Sequence, residues 1–181
     1  MEMTEKNSLS VVSIRMVHDA PLFSEHEIIT PEDAIDVVGE YLCDMDREIV
    51  AVINLKADCT PINVNFASIG TINSSIINPG EIFKTAILSN AAIIIIIHNH
   101  PSGNLTPSLQ DIKMTDKMIQ CCELMEIPLL DHIIVGGDNE KYFSFRNNGL
   151  MDSPNMEKTD LEIDNLKFQD INSLPVKKKI R

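Results

Sequence analysis

The stretch Ala91-Ala92-Ile93-Ile94-Ile95-Ile96-Ile97-His98-Asn99-His100-Pro101-Ser102-Gly103-Asn104 sets five consecutive isoleucines in front of a polar triplet and a turn. β-Branched side chains favour extended backbone, and an apolar run without alternation suits a strand covered on both faces. Ala91–Ile97 therefore reads as a central strand. It is also the longest unbroken apolar run, and its seven residues fall far short of the roughly 20 that a membrane-crossing helix needs. No membrane association is expected.

Downstream, Pro107-Ser108 opens a helix that runs to about Glu126 and is ended by Pro128. Leu129–Val135 reads as another strand, Gly136-Gly137-Asp138-Asn139 as a turn and Tyr142–Phe145 as a closing strand. Upstream, Asn78-Pro79-Gly80-Glu81 opens a helix over Ile82–Asn90. Ile62, Val64 and Phe66 alternate with Asn63, Asn65 and Ala67, the period of a half-buried strand ending near Gly70. Ile49–Leu55 is a further strand. Thr30-Pro31-Glu32-Asp33 begins the first helix, with Thr30 as N-cap, Pro31 at the first helical position and Asp33 closing a capping box. Ala34, Ile35, Val37, Val38, Tyr41 and Leu42 then share one broad face. Helices alternating with strands predict an α/β (α+β) fold, a mixed β-sheet flanked by helices. Residues 28–151 would form this domain. Residues 1–27 would be an extension with an edge strand over Ser8–Met16, and residues 152–181 a mobile polar tail with at most one weak helix.

The chain of 181 residues suits one domain, and 44% hydrophobic with 23% charged residues suits a buried core. Aromatic residues are only 4% and Trp is absent, which argues against a base-stacking surface. The formal charge is −12. The last thirty residues hold six charges of each sign, so the whole excess falls on residues 1–151, with 21 acids against 9 bases. Such a body repels phosphate backbones. Autonomous nucleic-acid binding is not expected, and residues 1–151 should bind duplex DNA weakly in a fluorescence-anisotropy titration at physiological salt. Tight, salt-sensitive binding would show a local basic patch overriding the net field. The opening Met-Glu-Met-Thr-Glu-Lys lacks the basic segment and apolar stretch of a signal peptide, so a cytoplasmic location is expected. Cys43, Cys59, Cys121 and Cys122 show no CxxC spacing and read as reduced, mostly buried thiols.

The chemistry gathers where the isoleucine strand ends. His98 and His100, two residues apart on extended backbone, project from one face. Seven residues separate His100 from Ser108, which starts a helix, and Asp111 lies in its first turn. Pro101, Gly103 and Pro107 let the chain turn and bring that helix start back to the histidines. Two imidazoles and a carboxylate suit Zn²⁺, with a fourth position left for water. Ser108-Leu109-Gln110-Asp111 is equally an ordinary capping box. The letters His-Asn-His also suggest an HNH nuclease, but there the residues are dispersed over a ββα-metal unit, so a contiguous triplet is no evidence for one. Met114, Met118, Ile119, Cys122 and Met125 read as core packing along the third helix. His132 reads as a satisfied core histidine or, with Asp131, as support standing behind the metal layer. Lys177–Lys179 with Arg181 reads as a solvated terminal charge run.

The H-x-H, seven residues, S-x-x-D spacing resembles the JAMM motif of JAB/MPN-domain metalloproteins, and the surrounding text narrows the likeness to the RadC-like branch. His98-Asn99-His100-Pro101-Ser102-Gly103, Gly70-Thr71, Pro79-Gly80-Glu81-Ile82-Phe83-Lys84, Asn90-Ala91-Ala92, Leu130-Asp131-His132-Ile133-Ile134-Val135-Gly136 and Tyr142-Phe143-Ser144-Phe145-Arg146 resemble that family in order and spacing over residues 28–151. The resemblance implies a cytidine-deaminase-like architecture and a zinc site on His98, His100 and Asp111. It gives Ser108 a hydrogen bond to the metal-bound water or the developing oxyanion, and it implies hydrolysis of a peptide or isopeptide bond in a peptide or protein substrate. Family members often carry an N-terminal helix-hairpin-helix segment, for which this sequence is expected to have neither room nor the right charge.

JAMM peptidases also use an upstream glutamate as general base. Counting back from Gly70, the corresponding strand position is about Asn65. An amide orients a water but cannot take its proton. Glu81 and Asp58 are the nearest carboxylates in sequence, the first suited to a helix N-terminus and the second to a turn. Three readings stand: a zinc hydrolase, a metal-stabilised partner-binding module favoured by Asn65, and a DNA-repair factor suggested by the family's older naming alone.

Overall fold

A computed structural model describes residues 13, 15–19, 21–69, 78–137 and 141–151. The expected tail over 152–181, the Gly70-Thr71 block and most of the expected Ser8–Met16 strand lie outside them. Among the described residues three helices, α1 (Pro31–Cys43), α2 (Pro79–Leu88) and α3 (Leu109–Met125), alternate with five strands. These are β1 (Ile49–Leu55), β2 (Pro61–Ile69), β3 (Ile93–His100), β4 (Leu129–Gly136) and β5 (Tyr142–Ser144). The sheet runs β2-β1-β3-β4-β5 and is mixed: β3 and β4 are parallel and the other neighbours antiparallel.

Both faces of β3 are covered, which is why its isoleucines need no polar alternation. Ile95 and Ile97 pack with Ala51, Ile53, Ile133 and Val135 against α1, through Ala34, Ile35, Val38 and Leu42. Ile94 and Ile96 pack with Val50 and Val52 against Ile82, Phe83 and Ala86 of α2 and Met118 and Cys122 of α3. Burying each isoleucine contributes about 1.5–3 kcal/mol, so the strand is anchored from both sides.

The boundaries shift where polar residues decide them. The central strand starts two residues later than Ala91 and continues through His98, Asn99 and His100, which pair with Ile134, Val135 and Gly136 of β4. α2 starts at Pro79 and stops at Leu88, with Ser89 as its C-cap and Asn90 at φ 50°, outside the helical region. α3 begins at Leu109 because Ser108 is its N-cap, in extended backbone. Thr30 and Asp33 close the capping box of α1, Thr30 N–H donating to Asp33 Oδ2 at 2.8 Å. Met125 is 42% exposed, so it is not core; it sits at the last position of α3, past the turn that faces the sheet. The four cysteines are free thiols, with only Cys122 buried. Among the described residues no helix is long and apolar enough to cross a membrane.

Asp131 ties β4 to the turn after β5. Its Oδ1 accepts the backbone N–H of His132 at 2.7 Å and of Arg146 at 3.0 Å, and its Oδ2 accepts Ser144 Oγ–H at 2.6 Å. Burial pushes this carboxyl up to about 6, against the pull of those three donors. Asp131→Ala strands them in the interior, and an unmet buried donor costs about 1–3 kcal/mol. The variant should lose about 2–4 kcal/mol in urea unfolding; a loss under about 1 kcal/mol would mean that the turn stands without it.

Candidate metal centre

In the register of β1 against β3, Val50 lies opposite His98. Residues 94, 96, 98 and 100 alternate onto the face that carries α2 and α3, so the isoleucine packing of that face gives way to two imidazoles at its end. α3 supplies the third group. Asp111 is the N3 residue of its capping box: Asp111 Oδ2 accepts Ser108 N–H at 2.7 Å and Ser108 Oγ accepts Asp111 N–H at 3.2 Å. The cap and the site are one arrangement, because the bond to Ser108 turns the carboxylate toward the histidines. Asp111 Oδ1 is 3.4 Å from His98 Nε2 and Oδ2 is 3.5 Å from His100 Nε2. The two Nε2 atoms are 3.1 Å apart.

A fourth group, unforeseen in the sequence, joins them. Glu48 lies just ahead of β1, with Oε1 3.9 Å from His98 Nε2. One donor atom from each of Glu48, His98, His100 and Asp111 falls within 4.8 Å of all the others. Asn99 holds Glu48 there. Its side chain points away from both histidines, with Oδ1 accepting Ile49 N–H at 2.7 Å and Nδ2 donating to the Arg47 carbonyl at 3.0 Å. The clamp thus grips the backbone on either side of Glu48.

The other carboxylates and amides considered stand elsewhere. Asn65 lies opposite Val52 on β2, and β1 separates β2 from β3. It does not face the histidines from the neighbouring strand, because the strand beside them is β1 and not the alternating strand. Its companion Asn63 bonds Asn54 and Ser89. Glu81 pairs with Lys84 in the first turn of α2 at 2.7 Å. Asp58 is exposed in a turn, where Oδ1 accepts Thr60 N–H at 3.0 Å. Neither belongs to the group. The Asn65 feature that favoured a partner-binding module therefore does not describe the site.

The donor chemistry fits a cation. Both Nδ1 atoms are engaged away from the centre: His100 Nδ1 donates to the Asn104 carbonyl at 2.6 Å, and His98 Nδ1 faces His132 Nε2 at 2.8 Å. The two Nε2 atoms and the carboxylate oxygens are left facing one another, and such a set repels itself unless positive charge lies among it. Burial lowers the pKa of His98 to about 4, offset in part by Asp111. His100 is raised: burial works against it, but its contacts with Asp111 and Asn104 and the charge of Glu48 prevail. Asp111 is held well below its ordinary range despite burial, by His100, His98 and Ser108. Burial and the neighbouring Asp111 charge raise Glu48, with His100 pulling the other way.

Behind His98 the polar contacts continue. His132 is fully buried and stacked on Phe145 at 4.4 Å between ring centroids. Its Nδ1 is 2.7 Å from Thr115 Oγ1, which donates to the Asp111 carbonyl at 2.7 Å. Asp111, Thr115 and Asp116 are all buried, so the first two turns of α3 face the sheet with polar residues. Between them Ile112 packs with Leu105, Ile134, Phe143 and Phe145, and the side toward β1 and β3 becomes fully apolar at Met118 and Cys122.

A family model described as the RadC-like JAB domain matches residues 28–150. A UPF0758 protein of Desulforamulus reducens is 45% identical over 121 residues, covering 67% of this chain and 52% of its own length. UPF0758 proteins of Clostridium acetobutylicum and Staphylococcus haemolyticus are 38% and 39% identical over 129 residues, each covering 71% of this chain and 56% of their own. The chain thus spans about half the length of these relatives. From the matched residues and the fold, the chain belongs to the RadC-like JAB domain family.

Proposed function

We propose that the protein is a cytoplasmic zinc-dependent hydrolase of peptide or isopeptide bonds, acting on a peptide or protein substrate. The observation that carries this reading is the Glu48 carboxylate beside His98, His100 and Asp111. His98, His100 and Asp111 would hold the ion, an open donor set of the kind that leaves a position for water. Zn²⁺ bound there supplies Lewis acidity, lowering the pKa of a water and polarising a scissile carbonyl.

The chain's own residues supply the rest. Glu48 stands farther back than Asp111, 3.9 Å against 3.4 Å from His98 Nε2, and is the more open of the two. A carboxylate in that position takes a proton from the attacking water at Oε1 and returns it to the leaving amine. Ser108 uses an oxygen lone pair for its cap, so its O–H remains able to donate to a developing oxyanion. A peptide is preferred to a nucleic acid as substrate because the acidic excess lies in residues 1–151.

The test is a screen of zinc-loaded protein against a peptide library and against lysine-linked isopeptides, with a chelated control. Cleavage that tracks zinc content supports the proposal. A fully loaded protein that cleaves nothing in either set, yet retains partners through the same face, would return the reading to a binding module.

A further inference from the structure

We propose that Thr115 and His132 are positioning residues that decide which nitrogen of His98 is bare toward the centre. The inference rests on the metal reading above and follows from counting protons. The single hydroxyl proton of Thr115 goes to the Asp111 carbonyl at 2.7 Å. Toward His132, Thr115 Oγ1 can then only accept, so His132 Nδ1, 2.7 Å away, carries a proton. A second proton on this ring would place a full charge on a side chain that is wholly buried and stacked on Phe145, which is costly. His132 Nε2 is therefore bare and accepts from His98 Nδ1 at 2.8 Å. With its proton on Nδ1, His98 turns a free lone pair on Nε2 toward His100 and Asp111. The line of bonds runs from the backbone of one metal-facing residue, Asp111, to the ring of another, His98. His100 needs no such line, because a backbone carbonyl, that of Asn104, takes its Nδ1 proton directly.

Thr115→Val breaks the line at nearly constant shape. His132 Nδ1–H loses its acceptor, and the tautomer with its proton on Nε2 becomes the better one. That proton faces His98 Nδ1, which must shed its own, and the His98 proton moves to Nε2, where it blocks the ion. Disturbing the support of a metal-binding histidine typically lowers affinity ~10–100-fold. Thr115→Ser keeps the hydroxyl and should keep the affinity.

The experiment measures wild-type, Thr115→Val and Thr115→Ser proteins in two ways. Long-range ¹H–¹⁵N correlation spectra of the metal-free proteins read the histidine tautomers, and competition with a chromogenic chelator reads Zn²⁺ affinity. The expected result is His98 protonated at Nδ1 in wild type and the serine variant, a shift to Nε2 in the valine variant, and a ~10–100-fold affinity loss in the valine variant alone. Wild-type His98 protonated at Nε2, or a valine variant that binds zinc as wild type does, overturns the proposal. A wild-type protein that holds no zinc while His98 carries its proton on Nδ1 supports the relay and overturns the metal reading.

Discussion

Asp111→Asn is expected to leave α3 capped and to empty the metal centre. The amide oxygen can still accept Ser108 N–H, now at 2.7 Å, so the cap persists, and the stability lost is only what the charge contributed through His100 and His98. What the amide lacks is charge. Without it, two imidazoles and Glu48 remain, and the loss of a ligand should exceed the ~10–100-fold cost of merely disturbing a ligand's support. Ser108→Ala is the converse, costing about 1 kcal/mol of stability through the lost cap with zinc retained. Urea unfolding and metal content by plasma mass spectrometry, on the same samples, separate the two roles. Full zinc occupancy in the asparagine variant would mean that Asp111 serves the helix alone.

Glu48→Gln should produce the second large effect. Loss of a positioned general base typically costs ~10²–10⁴-fold in rate, while zinc content stays at the wild-type level because His98, His100 and Asp111 are untouched. Steady-state kinetics on a substrate from the zinc-loaded screen, beside metal analysis, would read this. Zinc lost together with rate would make Glu48 a fourth ligand; an unchanged rate would dismiss it as the base. Asn65→Glu should leave the rate unaltered, since β1 stands between that strand and the histidines.

The sequence made the sheet legible because its signals are local. Five isoleucines need cover on both sides, and Thr30, Asn78 and Ser108 each mark a helix start with a side chain that reaches only two or three residues along the chain. The gathering of His98, His100 and Asp111 was legible for the same reason, as all three lie within fourteen residues. Glu48 was not. It is one of 27 acidic residues, fifty positions before His98, and only the antiparallel register that sets Val50 against His98 brings it near. Alternation placed Asn63 and Asn65 correctly on one face of their strand, but the order of strands in a sheet is not a property of any one strand. Counting back from a glycine therefore chose the strand one place too far out. His132 was read either as a core histidine or as support behind the metal layer, but Thr115 was missed, since the line from it through His132 to His98 joins α3, β4 and β3.

The clamp made by Asn99 has a consequence for how this site can change. Its bonds go to main-chain atoms of Arg47 and Ile49 and make no demand on the side chain between them. Position 48 is in effect a socket, fixed in space by its neighbours and indifferent to what is fitted. A descendant chain could exchange the carboxylate there for an imidazole, an amide or a thiol and present each at the same spot, with the sheet undisturbed. New chemistry, or none, would then be a single substitution away, whereas altering Asn99 would displace whatever residue the socket held.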